Sequence, residues 1–152
     1  MHDLDAIDRK LLGILQQDAS LTSDEISDRA GLSRNACWRR IRAMDAAGVI
    51  RGRVALVDPA AVGCPLEVIV LVRTSNHDAD WMTRFQRAIR IMPEVVGAYR
   101  MTGDLDYLLR VRVADVPAYD AFYKRVTAQV PLSDISASFV MEEIKETTAL
   151  PL

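Results

Sequence analysis

The sequence predicts an α+β protein in two parts, a small three-helix unit followed by a βαββαβ unit. Three observations carry that expectation. Apolar residues recur every three or four positions as far as about residue 46, the mark of helices that bury one face. Across 58–65, two prolines and a glycine break the periodicity. Beyond that break, β-branched runs alternate with helical segments in the order strand, helix, strand, strand, helix, strand.

Leu4, Ile7, Leu11, Leu12, Ile14 and Leu15 place a first amphipathic helix over about 5–17, ended by Asp18-Ala19-Ser20. Thr22 and Glu25 then stand at the spacing of a capping box, which starts a short second helix with Ile26 and Ala30 inward. Gly31 supplies a tight turn, and Ser33 is the N-cap of a third helix. On that helix Cys37, Ile41 and Met44 share one dry stripe. Asn35, Arg39 and Arg42 lie opposite, with Arg34 and Trp38 on one flank and Arg40 on the other. Two short helices joined through a glycine turn, the second rich in donors, make a helix-turn-helix, with the first helix as a brace. Residues 49–57 alternate loosely around Arg51-Gly52-Arg53, as either a small wing (winged-helix-like) or a strand leading out of the unit.

After the break, Leu66–Arg73 reads as a strand buried on both faces, and 78–91 as a helix with Trp81, Phe85, Ile89 and Met92 inward. Strands over 95–102 and 105–113 flank a Gly103-Asp104 turn. Asp115 caps a helix bearing Tyr119, Phe122, Tyr123 and Val126, and a last strand runs from Ser133 to about Lys145. This order is a ferredoxin-like split βαβ arrangement, with both helices on one face of a four-stranded antiparallel sheet. The uncovered face keeps Ile69, Leu71 and Leu108 or the residues that alternate with them, so the sequence predicts a homodimer joined sheet to sheet. The expected domains are 1–52 as the helix-turn-helix unit, 53–65 as a linker strand and loop, and 66–152 as the oligomerisation unit.

Half of the 152 residues are hydrophobic, and no run approaches a membrane span. The acidic N-terminus lacks a signal-peptide layout, so a cytoplasmic protein is expected. Cys37 and Cys64 form no metal-ligand spacing and read as reduced thiols, the first as a small core residue. No metal and no cofactor is expected. The net charge of −2 hides its distribution: residues 1–28 carry −5, 29–53 carry +6 and 54–152 carry −3. Four arginines fall within 34–42, with no acid until Asp45. A local cationic patch on an acidic body suits double-stranded DNA. Arginine can hydrogen-bond guanine and asparagine adenine, while other cations neutralise phosphates. The expected base contacts are Arg34, Asn35, Trp38 and Arg39, with Ser33 at the cap. Arg42, Arg51 and Arg53 are expected on phosphates, and Arg40 in a pair with an acid of the first helix.

Leu4-Asp5, Asp8, Ile14-Leu15, Gly31-Leu32-Ser33, Arg40-Ile41 and Gly48-Val49-Ile50 resemble the N-terminal half of the Lrp/AsnC regulators. Pro93-Glu94-Val95, the turn Thr102-Gly103-Asp104-Leu105-Asp106-Tyr107 and the closing 140–145 resemble their regulatory domain. The resemblance implies a dimeric α+β barrel that assembles further to tetramers or octamers. It also implies an amino-acid effector bound between dimers, around Met101, Thr102, Gly103, Asp104 and Asp106 and a hydroxyl pair mapped onto Ser136 and Ser138. Family members often carry Thr at those two positions and an aromatic where Leu105 stands. Read from the residues alone, Asp104 and Asp106 are either an ammonium-binding acid pair or parts of a plain hairpin turn. A regulatory subunit that docks on protein and a ligand-independent architectural DNA binder remain alternatives. His2, His77, Tyr99, Tyr107 and Asp106 form no catalytic constellation, so no enzyme is expected.

Overall fold

A computed structural model describes residues 3–75 and 78–152, so His2 and His77 lie outside the described residues. The chain divides into two compact units, one of residues 1–56 with 144–152, the other of residues 57–143.

The helical unit contains α1 (Ala6–Gln17), α2 (Ser23–Ala30) and α3 (Arg34–Ala46). Each start is built locally. Asp5 caps α1, and its carboxylate accepts the Asp8 N–H at 2.8 Å. Thr22 and Glu25 close the expected capping box on α2. Ser33 accepts the Ala36 N–H at 3.3 Å to start α3. Between α2 and α3 the chain must reverse within three residues. Gly31 does this at φ 71°, a left-handed conformation that costs an L side chain energy, and its N–H donates to Ser27 O at 2.9 Å. Leu11, Leu12, Ile26, Ala30, Cys37 and Met44 form the core.

One expectation is corrected in this unit. Residues 51–58 form no strand, and Val54, Leu56 and Val57 stand exposed; Gly52, Ala55 and Asp58, poor strand formers, interrupt the run. Residues 144–152 cluster with the helical unit. There the Gln16 amide clasps Leu150, donating to its carbonyl at 3.1 Å and accepting its N–H at 2.7 Å.

The second unit is a four-stranded antiparallel sheet of β1 (Leu66–Arg73), β2 (Val95–Arg100), β3 (Tyr107–Val113) and β4 (Asp134–Phe139), in the order β2-β3-β1-β4. Helices α4 (Ala79–Arg90) and α5 (Val116–Gln129) complete the expected βαββαβ order. Asp78 and Asp115 cap them, with Pro117 in the first turn of α5. Val68, Val70 and Val72 from β1 and Tyr107, Leu109, Val111 and Val113 from β3 meet Trp81, Phe85 and Phe122 in a single core. Trp81 stacks on Phe85 with ring centroids 5.0 Å apart, and its indole N–H donates to Pro131 O at 2.8 Å.

The sheet also departs from expectation in three places. Only one face of β1 is sealed, while Ile69 and Leu71 on the other are half-buried. The last strand ends at Phe139, paired with Val68, since β1 has almost run out of residues to pair beyond it. Tyr123, at core spacing on α5, turns outward and is 37% exposed.

Candidate nucleic-acid interface and effector turn

The exposed side of α3 is built by excluding one arginine from it. Arg40 turns back to the brace helix, where its guanidinium donates at 2.8 Å to Asp5 and at 2.8 Å to Asp8. Asp8 is buried, so the pair locks α3 against α1. The Asp8 backbone N–H, and after it Arg40, holds the Asp5 carboxyl below the usual carboxylate range. Arg40 therefore does structural work.

What remains outward is a mixed surface. Asn35 and Arg39 are exposed, and neither Arg39 nor Arg51 has an ion-pair partner among the described residues. Trp38 is 62% exposed, far more than a core indole, and the Arg42 guanidinium lies 5.6 Å from its ring centre. Arg34 bridges to Asp24 at 3.0 Å, and Arg53 to Asp45 at 3.3 Å. Both pairs are open to solvent, where such bridges are worth little and yield readily to a phosphate. Ser33 is occupied in capping. The structure thus brings Arg34, Asn35, Trp38, Arg39 and Arg42 onto one helix face. Arg51 and Arg53 lie on the extended segment that follows.

The expected effector residues fall on the loop between β2 and β3 and on β4. Gly103 has φ 98°, and Met101, Thr102, Gly103 and Asp104 are exposed. Asp106 is committed inside the loop: its carboxylate accepts the Thr74 N–H at 2.8 Å, and its carbonyl accepts the Met101 N–H at 2.8 Å. Ser136 and Ser138 face Leu71 and Ile69 across the register, on the open face of the sheet. A residue the sequence reading missed ties the two halves together. Arg73 donates from Nε to Asp104 O at 2.9 Å and places Nη1 3.7 Å from Asp134 at the start of β4. Nothing in its spacing marked it, because it only closes a strand.

The family profile described as Lrp/AsnC ligand binding domain matches residues 67–150, and a winged helix-turn-helix DNA-binding profile matches 4–51. The chain belongs to the Lrp/AsnC family. It is 47% identical over 150 residues to the DNA-binding transcriptional activator DecR of Escherichia coli, covering 98% of this chain and 99% of that one. It is 48% identical over 152 residues to the glutamate uptake regulatory protein of Zymomonas mobilis, covering all of this chain and 93% of the relative. An AsnC family regulator from Agrobacterium tumefaciens superposes with a TM-score of 0.94 at 51% identity, over 97% of each chain. A Neisseria meningitidis transcriptional regulator in complex with L-Met gives 0.94 at 35% identity, over 98% of this chain and 97% of that one. This Lrp/AsnC member is a transcriptional regulator with a helix-turn-helix DNA-binding part and a ligand-binding domain. Among its described residues no helix is long and apolar enough to cross a membrane.

Proposed function

We propose that this regulator reads double-stranded DNA with the outward side of α3, and that an amino acid bound at the 101–106 loop modulates that binding. One observation carries the DNA half. Arg40 is drawn inward onto Asp5 and Asp8, which leaves Asn35, Trp38 and Arg39 as a contiguous exposed set. Arg34, Asn35, Trp38 and Arg39 contact bases; Arg42, Arg51 and Arg53 contact phosphates. The protein acts in the cytoplasm as a homodimer, joined through the sheet face bearing Ile69, Leu71 and Leu108, that assembles to tetramers or octamers. It has no catalytic role.

The effector half draws support from the relative crystallised with L-Met and from the exposed Gly103 turn, whose backbone donors are open to a carboxylate. Arg73 holds that turn and belongs to the site as a positioning residue. A ligand shifts the equilibrium only by its differential affinity for two assembly states. Selecting duplexes from a randomised library with the full-length protein tests the first half. A consensus is expected, with affinity falling steeply as salt rises. Binding without a consensus would leave an architectural role, and no salt-sensitive retention would leave docking on a protein. A thermal-shift screen against the amino acids tests the second half, with about 2.7 kcal/mol of stabilisation expected at ~100-fold excess over Kd. A flat panel removes the amino acid.

A further inference from the structure

The chain leaves α3 through a closed loop. Gly48, at φ 72°, turns it out of the helix. The Gly48 N–H donates to Asp45 O and the Val49 N–H to Met44 O, both at 3.0 Å, the two bonds of a Schellman turn. Val49 and Ile50 then pack on the core of the helical unit. Three residues on, the Arg53 guanidinium comes back to the same turn of α3. Its Nη1 and Nη2 lie 3.3 Å and 3.4 Å from the two Asp45 carboxylate oxygens. Residues 48–53 are therefore fastened at both ends to Met44 and Asp45. Arg51 stands exposed between the two fastenings.

An acid is out of place at residue 45 on two counts. Asp45 is the sole acid of residues 29–53, against seven arginines. It lines one recess with Trp38, Arg42 and Arg53, so it sits on the flank of α3 that carries the exposed indole and its cation. On charge alone, a carboxylate there repels phosphate and weakens binding to every duplex. Asp45 also lies in the last turn of α3, where the negative end of the helix dipole disfavours an acid. What the side chain does instead is hold Arg53.

We propose that Asp45 is a positioning residue for DNA binding: by holding Arg53 it closes the 48–53 loop and presents Arg51 and Arg53 to phosphates beside α3. The proposal rests on the DNA-binding reading above. Residues 51–57 have no strand partner, so without the clasp Arg51 and Arg53 would be ordered only as DNA arrives. Ordering at that moment subtracts from affinity. The pair is weak in water, yet a phosphate can share it. Arg53 meets Asp45 with two of its N–H groups and keeps the others for the duplex.

The test is a cycle of two substitutions in the full-length protein, each variant titrated with the selected duplex at several salt concentrations. Asp45→Asn keeps the shape of the side chain and removes its charge. It should weaken binding roughly fivefold and make the salt slope shallower by up to about two, ~0.9 for each lost phosphate contact. Charge alone predicts the opposite sign, a tighter complex. Asp45→Glu should keep the affinity, since it retains a carboxylate within reach of Arg53. In an Arg53→Gln background, Asp45→Asn should bring no further loss, because nothing is left to position. Unchanged or tighter binding by Asp45→Asn overturns the proposal. So does an equal loss in both backgrounds, which would give Asp45 a role in the fold of α3 alone. If the unaltered protein shows no salt-sensitive retention of DNA, the underlying DNA-binding reading falls and takes the proposal with it.

Discussion

Arg39 and Arg40 are adjacent in the chain and do opposite work, and the reason is the helical angle between them. About 100° of rotation carries Arg40 onto two carboxylates of α1 and leaves Arg39 in solvent. Arg39→Ala should therefore cost about 1–3 kcal/mol of discrimination between the selected site and a mutated one, measured by competition binding. Retained discrimination would move Arg39 to the phosphate class. Arg42→Ala should weaken all sequences alike, with a salt slope shallower by about 0.9, and it also frees Trp38 from its guanidinium. The carboxylates of the helical unit instead set an acid limit. Asp5, Asp18 and Glu25 are all held below their usual range, respectively by the Asp8 N–H, the Ser20 hydroxyl and the Thr22 hydroxyl. A depressed folded pKa adds stability that is fully present above the unfolded value, near 4, and is lost as pH falls through the folded value. The melting temperature should drop below about pH 4, and Arg40→Ala should flatten the part of that acid limb that Asp5 sets. An unaltered limb in the variant would take Arg40 out of the linkage.

At the scale of elements, caps and turns were legible because they depend on a few adjacent residues. Thr22, Ser33 and Asp115 cap where expected, Asp5 and Asp78 cap the helices expected to begin about there, and Gly31 holds the left-handed turn that sets α3 against α2. Gly31→Ala has open space for its methyl group but the wrong backbone angle, so it should cost roughly 1–2 kcal/mol, read as a lower denaturation midpoint. A cost near zero would mean the turn relaxes to another conformation. Strand ends were less legible, because a strand lasts only as long as its neighbour. The 133–145 run has strand-like composition to its end, yet β1 supplies partners only to Phe139. The 49–57 run has strand-like alternation yet pairs with no other segment among the described residues. The expected site was legible where it lay on one helix and least so where it spanned elements. Arg34 through Arg42 needed only a helical wheel, whereas Arg73 and the capture of Thr74 by Asp106 join strands far apart in sequence.

At the scale of the whole molecule, the sheet is finished on one face only. Val68, Val70, Val72, Leu109 and Val111 are sealed beneath α4 and α5, while Ile69, Leu71 and Leu108 stay half-buried on the other side. Tyr99 adds a ring on that side, lying over Gly97, which has no side chain to obstruct it. The ends of this face are charged and already paired, Glu67 with Arg110 and Arg112, so the desolvation cost of covering the centre falls on few groups. A second copy related by a two-fold axis would meet like with like, aliphatic centre on aliphatic centre. Leu71→Arg should then split the assembly, because two uncompensated charges would be driven into the middle of the contact. Sedimentation equilibrium at micromolar concentration should report a monomer. The sheet core lies on the opposite face, so the variant should keep its near-ultraviolet dichroism. Its DNA affinity should fall as well, since paired recognition helices bind two half-sites about one helical turn apart and a single copy engages only one. An unchanged mass for Leu71→Arg would put the contact on another surface, and the exposed Val54, Leu56 and Val57 would be the next residues to charge.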